Sequence, residues 1–303
     1  MTGNRRKTGI MLIAGCSLMA LNACGQHLPE FIHVPVGADT RSLTPRPAAV
    51  PSGTMTAAPS STPTPAIPEH WTEVSPGMEL RVMQVDIRDV PEPANAIVVR
   101  VDPEFFTFQV RYDPIGAATV RGWQERTGSI LAVNGGFFES NNAPAGLLVA
   151  DGEVFGTSFD KLNAPYDDYG GMFTVVGDAI GIRLLAEVPY QPDEPLDQAV
   201  QGFPMLVASG GRPVDFDLPG ETARRTAVAL DQSERVIFIV IDSAEISLSG
   251  LRDWLAAADE LAISAALNLD GGPSTGMALA AGSWVVQRDS LTRVPSVIEA
   301  IPR

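Results

Sequence analysis

Ala266-Leu267-Asn268-Leu269-Asp270-Gly271-Gly272-Pro273-Ser274-Thr275-Gly276 is an apolar run that ends abruptly in an acid, two glycines and two hydroxyls. The run reads as a buried strand, and a glycine-rich turn behind it lets backbone N–H groups approach a ligand closely. A second segment has the same design. Ser129-Ile130-Leu131-Ala132-Val133 leads into Asn134-Gly135-Gly136-Phe137-Phe138-Glu139. In both, a polar side chain closes a short strand and paired glycines follow. Taken singly, Asp270 and Asn134 are also explained as simple turn residues.

Outward from these two segments, β-branched and aromatic runs predict strands near 80–87, 96–101, 105–112, 130–133, 172–176 and 180–184. Further strands are expected near 203–207, 226–230, 236–241, 265–269 and 284–287. Helices are expected over 118–127 and, more clearly, over 251–263, where Leu251, Trp254, Leu255, Ala258 and Leu261 share a face. Many strands with few helices predict an α+β fold, a single domain with a mixed multi-stranded β-sheet core and a few flanking helices. No fixed-period repeat is visible, and no boundary divides 71–303.

The chain has 303 residues with a hydrophobic share of 45%, enough for one sizeable core. Its first seventy residues differ in character. Arg5, Arg6 and Lys7 precede an apolar run from Ile10 to Ala23, which has the charge and length of a secretory signal and is short for a membrane span. Leu21-Asn22-Ala23-Cys24 resembles the lipobox of bacterial lipoproteins, so Cys24 is the expected lipidation site, with Cys16 or an ordinary cleaved signal as alternatives. The expected layout is a signal at 1–24, a Pro/Ser/Thr-rich tether at 25–70 and a domain at 71–303. An extracytoplasmic protein follows, anchored to a membrane only through its N-terminal lipid, or secreted. Cys16 and Cys24 are the only cysteines, so the domain is held by its core and not by disulfides. Losing the signal's three basic residues takes the net charge from −15 to −18, which argues against a nucleic-acid partner.

The inventory excludes much chemistry. All three histidines, His27, His33 and His70, precede the domain. Gly272-Pro273-Ser274-Thr275-Gly276 has the spacing of a serine-hydrolase nucleophile elbow, yet no histidine is there to complete a triad. A Ser–Lys pair would need Lys161, the only lysine beyond the signal, whose polar context does not mark it as buried. Zinc sites built on His or Cys, P-loop binding and Schiff-base chemistry fall away as well. Carboxylate, amide, hydroxyl, arginine and backbone groups remain, a set suited to glycoside cleavage or to oxygen-ligated calcium. No metal site and no cofactor are predicted, although calcium is compatible with the donor set. Asp167, Asp168, Asp215 and Asp217 read as exposed loop acids.

Four ordered motifs then carry a resemblance. They are Asn134-Gly135-Gly136-Phe137-Phe138, Gln201-Gly202-Phe203-Pro204-Met205-Leu206, Arg224-Arg225-Thr226-Ala227-Val228-Ala229-Leu230-Asp231 and Asn268-Leu269-Asp270-Gly271-Gly272-Pro273-Ser274. Over roughly 80–300 the chain resembles the phosphodiester glycosidase family, whose animal member removes N-acetylglucosamine to uncover mannose 6-phosphate. It departs from the common family pattern at Pro273 and Thr275, where many members have a third glycine and a second serine, and at Asp242-Ser243, where many have Asp-Gly.

The resemblance implies hydrolysis of a sugar-1-phosphodiester or a related glycosidic linkage in an envelope or extracellular polysaccharide. A carbohydrate or glycosyl phosphate is then the partner. Cleavage of the sugar–oxygen bond needs stabilisation of an oxocarbenium-like centre and acceptance of negative charge on a departing phosphate. Asp270 is the expected essential carboxylate, as nucleophile, base or electrostatic partner, with Glu139 or Asp242 as a second acid. Arg225 is expected to grip phosphate oxygens through its planar donors, although Arg224, Arg225 and Arg235 also read as solvated strand-end charges. Asn134, Gly135, Gly136, Thr226, Asn268, Gly271, Gly272, Ser274 and Thr275 are the expected substrate-binding residues. Phe137, Phe138 and Trp254 read as core rather than as sugar platforms. Two other readings stay open, a non-catalytic carbohydrate-binding or envelope-biogenesis lipoprotein and a glycosidase acting on plain glycosides.

Overall fold

The computed structural model describes residues 66–87 and 93–303. The expected signal, with Cys24, and nearly all of the expected tether lie outside the described residues. Domain contacts begin just before Trp71: Ile67 packs against the core, and the Val82 N–H donates to the Pro68 carbonyl at 2.7 Å.

Strands β1 (Thr72–Ser75), β2 (Met78–Val85), β3 (Ala94–Val101) and β4 (Phe106–Tyr112) come first, then helix α1 (Val120–Thr127) and β5 (Leu131–Asn134). The chain continues through β6 (Leu148–Ala150), β7 (Glu153–Phe155), the single-turn helix α2 (Tyr166–Tyr169), β8 (Gly171–Val176) and β9 (Ala179–Leu184). Next are β10 (Gln198–Gly202), β11 (Met205–Ala208), β12 (Arg212–Pro213), β13 (Thr222–Asp231), β14 (Val236–Ser247) and helix α3 (Leu248–Ala257). Last come β15 (Ile263–Asn268), β16 (Met277–Ala281), β17 (Trp284–Arg288) and β18 (Ser296–Pro302).

These strands form three sheets. The largest has the order β1-β2-β3-β14-β13-β15-β11-β12, the second β7-β6-β10-β8-β9 and the third β17-β16-β5-β18-β4. The domain is therefore mostly β. Every ladder between the named strands is antiparallel, which corrects the expected mixed core. Several neighbours in sequence pair through short turns, whereas parallel pairing needs a long crossover.

Burial follows from sequence. Val236 to Ile241 is a continuous β-branched and aromatic run, and it is buried throughout as β14, between β3 and β13. β4 alternates instead, burying Phe106, Phe108 and Val110 while the residues between them reach outward. Phe108 meets Phe238 of β14 at 6.1 Å between ring centroids, which ties the third sheet to the first. α1 starts at Thr119, whose hydroxyl accepts from the Gly122 N–H at 3.2 Å, and stops at Gly128 with φ 71°. α3 is shorter than expected and starts earlier. Ser247 caps it by accepting from the Gly250 N–H at 3.0 Å, and a 3-10 turn at Asp259–Leu261 then leads into β15. Leu251 and Leu255 are the buried residues of its face.

Two unexpected strands carry polar side chains inside. In β10, Gln198 and Gln201 are buried because their amides bond backbone groups. Gln201 Oε1 accepts from the N–H groups of Leu147 at 3.1 Å and Phe159 at 2.8 Å. In β18, Glu299 is fully buried. It accepts from the hydroxyls of Thr127 at 2.5 Å and Ser129 at 3.1 Å and from Arg111 Nε at 3.2 Å.

Phe238 is fully buried at this junction of sheets. Phe238→Ala is expected to lower the free energy of unfolding by about 3–5 kcal/mol in denaturant titration. A loss below about 1 kcal/mol would show that the junction repacks around the void.

Candidate functional site

The ends of β5 and β15 meet the middle of β13 where the first and third sheets join. Asn134 closes β5 and is fully buried. Its Oδ1 accepts from Thr226 Oγ1 of β13 at 2.8 Å and from the Gly276 N–H at 3.0 Å, and its Nδ2 donates to the Asp270 carbonyl at 2.7 Å. The backbone closes the same ring. The Asp270 N–H donates to the Gly135 carbonyl at 3.2 Å, and the Leu269 N–H donates to the Thr226 carbonyl at 2.9 Å.

Glycine is required here by close approach. A Cβ on Gly136 would stand 2.6 Å from the Gln201 carbonyl of β10, and one on Gly202 would collide with the Asn268 carbonyl of β15. Side chains at these two positions would drive β10 away from the other two strands. Gly272, with φ 56°, faces open space, so the turn after Asp270 has a free side. Asn268 Nδ2 donates to the Phe203 carbonyl at 2.7 Å. Two buried oxygens in this group, Asn268 Oδ1 and Thr275 Oγ1, have no partner among the described residues.

Burial pushes the Asp270 carboxyl up to about 6, while hydrogen bonds from the Ser274 hydroxyl and the Gly271 N–H pull the other way. The Gly271 N–H lies 2.8 Å from Oδ1. Arg225 runs beside this turn: its Nη1 is 3.7 Å from where a Cβ on Gly271 would stand. Its Nε donates to the Ile246 carbonyl at 2.8 Å and its Nη2 to the Glu221 carbonyl at 2.7 Å. Nη1 makes no hydrogen bond or ion pair among the described residues. Burial draws the guanidinium below its ordinary value, opposed by the charge of Glu221, yet an arginine this basic stays charged.

Arg224 and Arg225 are both buried, which removes the reading of solvated strand-end charges for them. Arg235 does pair locally, with Asp231 at 2.8 Å. The β13–β14 ladder shifts register between Ala223 and Arg225, opposite residues 242–245, and Asp242 there meets Arg224 Nε at 2.5 Å. Arg224 Nη1 is buried without a partner among the described residues, and Nη2 donates to the Asp289 carbonyl at 3.3 Å.

The expected second acids are not part of the Asn134–Asp270 ring. Asp242 is half exposed, is occupied by Arg224 and opens onto a groove of about 630 Å³ with Asn95 and Arg288. Glu139 is exposed and borders a separate recess of about 370 Å³ walled by Phe137, Phe138 and Phe203. Phe137 and Phe138 therefore pack partly in the core and partly face this recess, which corrects their reading as core alone. Among the described residues no three His, Cys, Asp or Glu side chains gather to hold a metal ion.

The model of the phosphodiester glycosidase family matches residues 127–299, which span both glycine-pair motifs and Arg225. The chain belongs to the phosphodiester glycosidase family. Among solved structures, it is similar to the catalytic domain of zebrafish N-acetylglucosamine-1-phosphodiester alpha-N-acetylglucosaminidase, auto-inhibited by its pro-peptide. That likeness has 18% identity and a TM-score of 0.58, and it covers 79% of this chain and 87% of that one. A hypothetical protein from Synechocystis is similar at 17% identity and a TM-score of 0.56, over 78% of this chain and 64% of that one. At these identities the likeness is one of fold. No curated protein matches the chain.

The raised Asp270 value sets a pH dependence of stability. The folded carboxyl binds its proton more tightly than the ordinary value of 3.8 allows, so its contribution is full at low pH and is lost as pH rises through about 6. Asp270→Asn, which never ionises, is expected to melt higher than the wild type at pH 8 and equally at pH 4. The gain should be on the order of 2 kcal/mol for this partly exposed group. Melting curves at the two pH values check this, and an equal effect at both would show that burial does not govern the carboxyl.

Proposed function

We propose that this domain hydrolyses a sugar-1-phosphodiester or a related glycosidic linkage in an envelope or extracellular polysaccharide, breaking the sugar–oxygen bond. Family membership supports a glycosidase in general. The observation that carries the finer reading is one half-buried carboxylate, Asp270, and one buried arginine, Arg225, flanking the same glycine turn. Asp270 then works on the sugar side, as nucleophile or as base for water, and Arg225 Nη1 on the phosphate side. A phosphate departs as a stable anion, so it needs less help from a general acid than an alcohol does. This suits a ring in which, among the described residues, neither Glu139 nor Asp242 stands beside Asp270. The Cys24 lipobox and the proline-rich tether support a place outside the cytoplasm, close to a membrane surface.

The test is phosphorus NMR of the full chain with an N-acetylglucosamine α-1-phosphodiester, beside an Asp270→Asn variant shown to be folded. Monoester should appear with the wild type and fall by at least a thousandfold in the variant. The rate is expected to rise with pH through about 6, as Asp270 becomes ionised. Arg225→Lys should lower kcat/KM by about 10–100-fold, since a point charge cannot replace two planar donors. Binding of sugars without release of monoester, across several sugars, would make this a carbohydrate-binding lipoprotein instead.

A further inference from the structure

The recess beside Glu139 has walls that grow directly out of the site. Phe137 stands two residues beyond Gly135, which accepts from the Asp270 N–H, and the Phe203 carbonyl accepts from Asn268. Tyr166 completes it from α2. Its ring stacks on Phe159 at 5.4 Å and 27° and lies 4.9 Å from Phe203, although Tyr166 itself is 42% exposed. An aromatic left open to solvent beside two other rings, at about 370 Å³, has the size and lining of a small-molecule site. Among the described residues, its ionisable wall groups are the Glu139 carboxylate and the Tyr166 phenol. A carboxylate accepts hydroxyl hydrogen bonds and repels a phosphate, whereas Arg225, which runs beside the Gly271 turn and does not line this recess, does the reverse.

We propose that this recess is the sugar-ring subsite, with Tyr166 and Phe203 as the platform for an apolar pyranose face and Glu139 as acceptor for its hydroxyls. The inference rests on the glycosyl phosphodiester reading and gives that substrate a fixed direction: neutral sugar towards α2 and β10, phosphate towards Arg225 and β13. A purely hydrocarbon occupant is disfavoured, because it would face the carboxylate. Tyr166, Phe203 and Glu139 thereby become specificity residues for the sugar, distinct from those that hold the phosphate.

Saturation-transfer NMR on the full chain tests this without requiring turnover, using a panel of free monosaccharides (N-acetylglucosamine, glucose, galactose and mannose) and, separately, inorganic phosphate. At least one monosaccharide should bind the wild type. Its affinity should fall at least tenfold in Tyr166→Ala and severalfold in Glu139→Gln, with phosphate binding unchanged in both. Arg225→Gln should show the converse. Both Tyr166 and Glu139 are exposed, so neither change threatens the fold, and Phe203→Leu adds a third check on the platform. Sugar binding unaffected by Tyr166→Ala, phosphate lost together with sugar, or no monosaccharide bound by the wild type would each overturn the subsite. Sugar bound through Tyr166 but no monoester released would support the subsite and sink only the hydrolytic reading. Turnover with an unchanged KM in Tyr166→Ala would sink only the subsite.

Discussion

The site is organised by one uncharged amide. Asn134 spends both ends of its side chain on three separate pieces of chain: Thr226 and Gly276 on the oxygen, and the Asp270 carbonyl on the nitrogen. An aspartate there could not donate to the Asp270 carbonyl, and it would bring a second buried negative charge next to the first. A serine would be too short to bridge both sides. Because the clamp holds the backbone of Asp270 and not its carboxylate, the carboxylate is positioned without being consumed by the contact that positions it.

The same economy governs the charges. If Arg225 were paired directly with Asp270, the carboxyl would lie well below its usual range and each charge would cancel the other. Instead the guanidinium is oriented by two neutral carbonyls, those of Ile246 and Glu221, and Asp270 is left with one hydroxyl and one N–H against the cost of burial. Arg224 shows the alternative. It lies next in sequence, yet it is tied to Asp242 by an ion pair at the register shift in β13 and β14. Two adjacent arginines are thus put to different use by a local irregularity in one ladder.

Much of this was legible before the fold was known, and what was missed has physical causes. The runs that became β3, β4, β8, β13 and β14 are rich in β-branched and aromatic residues, so their period and burial agree. β10 and β18 were missed because Gln201 and Glu299 look like surface residues. Only partners distant in sequence, such as Phe159 and Arg111, make them suitable for the interior. β16, Met277-Ala278-Leu279-Ala280-Ala281, carries no strand preference of its own and is a strand because β5 and β17 flank it. Asn134 at the end of β5 and Asp270 just beyond β15 could be seen in the glycine-pair motifs, whereas the burial of Arg224 depends on β14 and the loop at Asp289. The aromatic recess is assembled from three segments, around Phe137, Tyr166 and Phe203, and no short pattern joins them.

β18 lies between β5 and the edge strand β4 of the third sheet, and the Arg111–Glu299 contact joins residues 188 apart. Closing so long a loop is slow, and β4 is not joined to β5 until it is done. Gly135 is held through the Ser296 carbonyl at the start of β18, so the glycine pair beside Asn134 is fixed only when that strand docks. The order of events follows from topology alone. A chain whose last strand has not yet docked therefore has its two glycine pairs only partly held, and the candidate site is among the last parts of the domain to take shape.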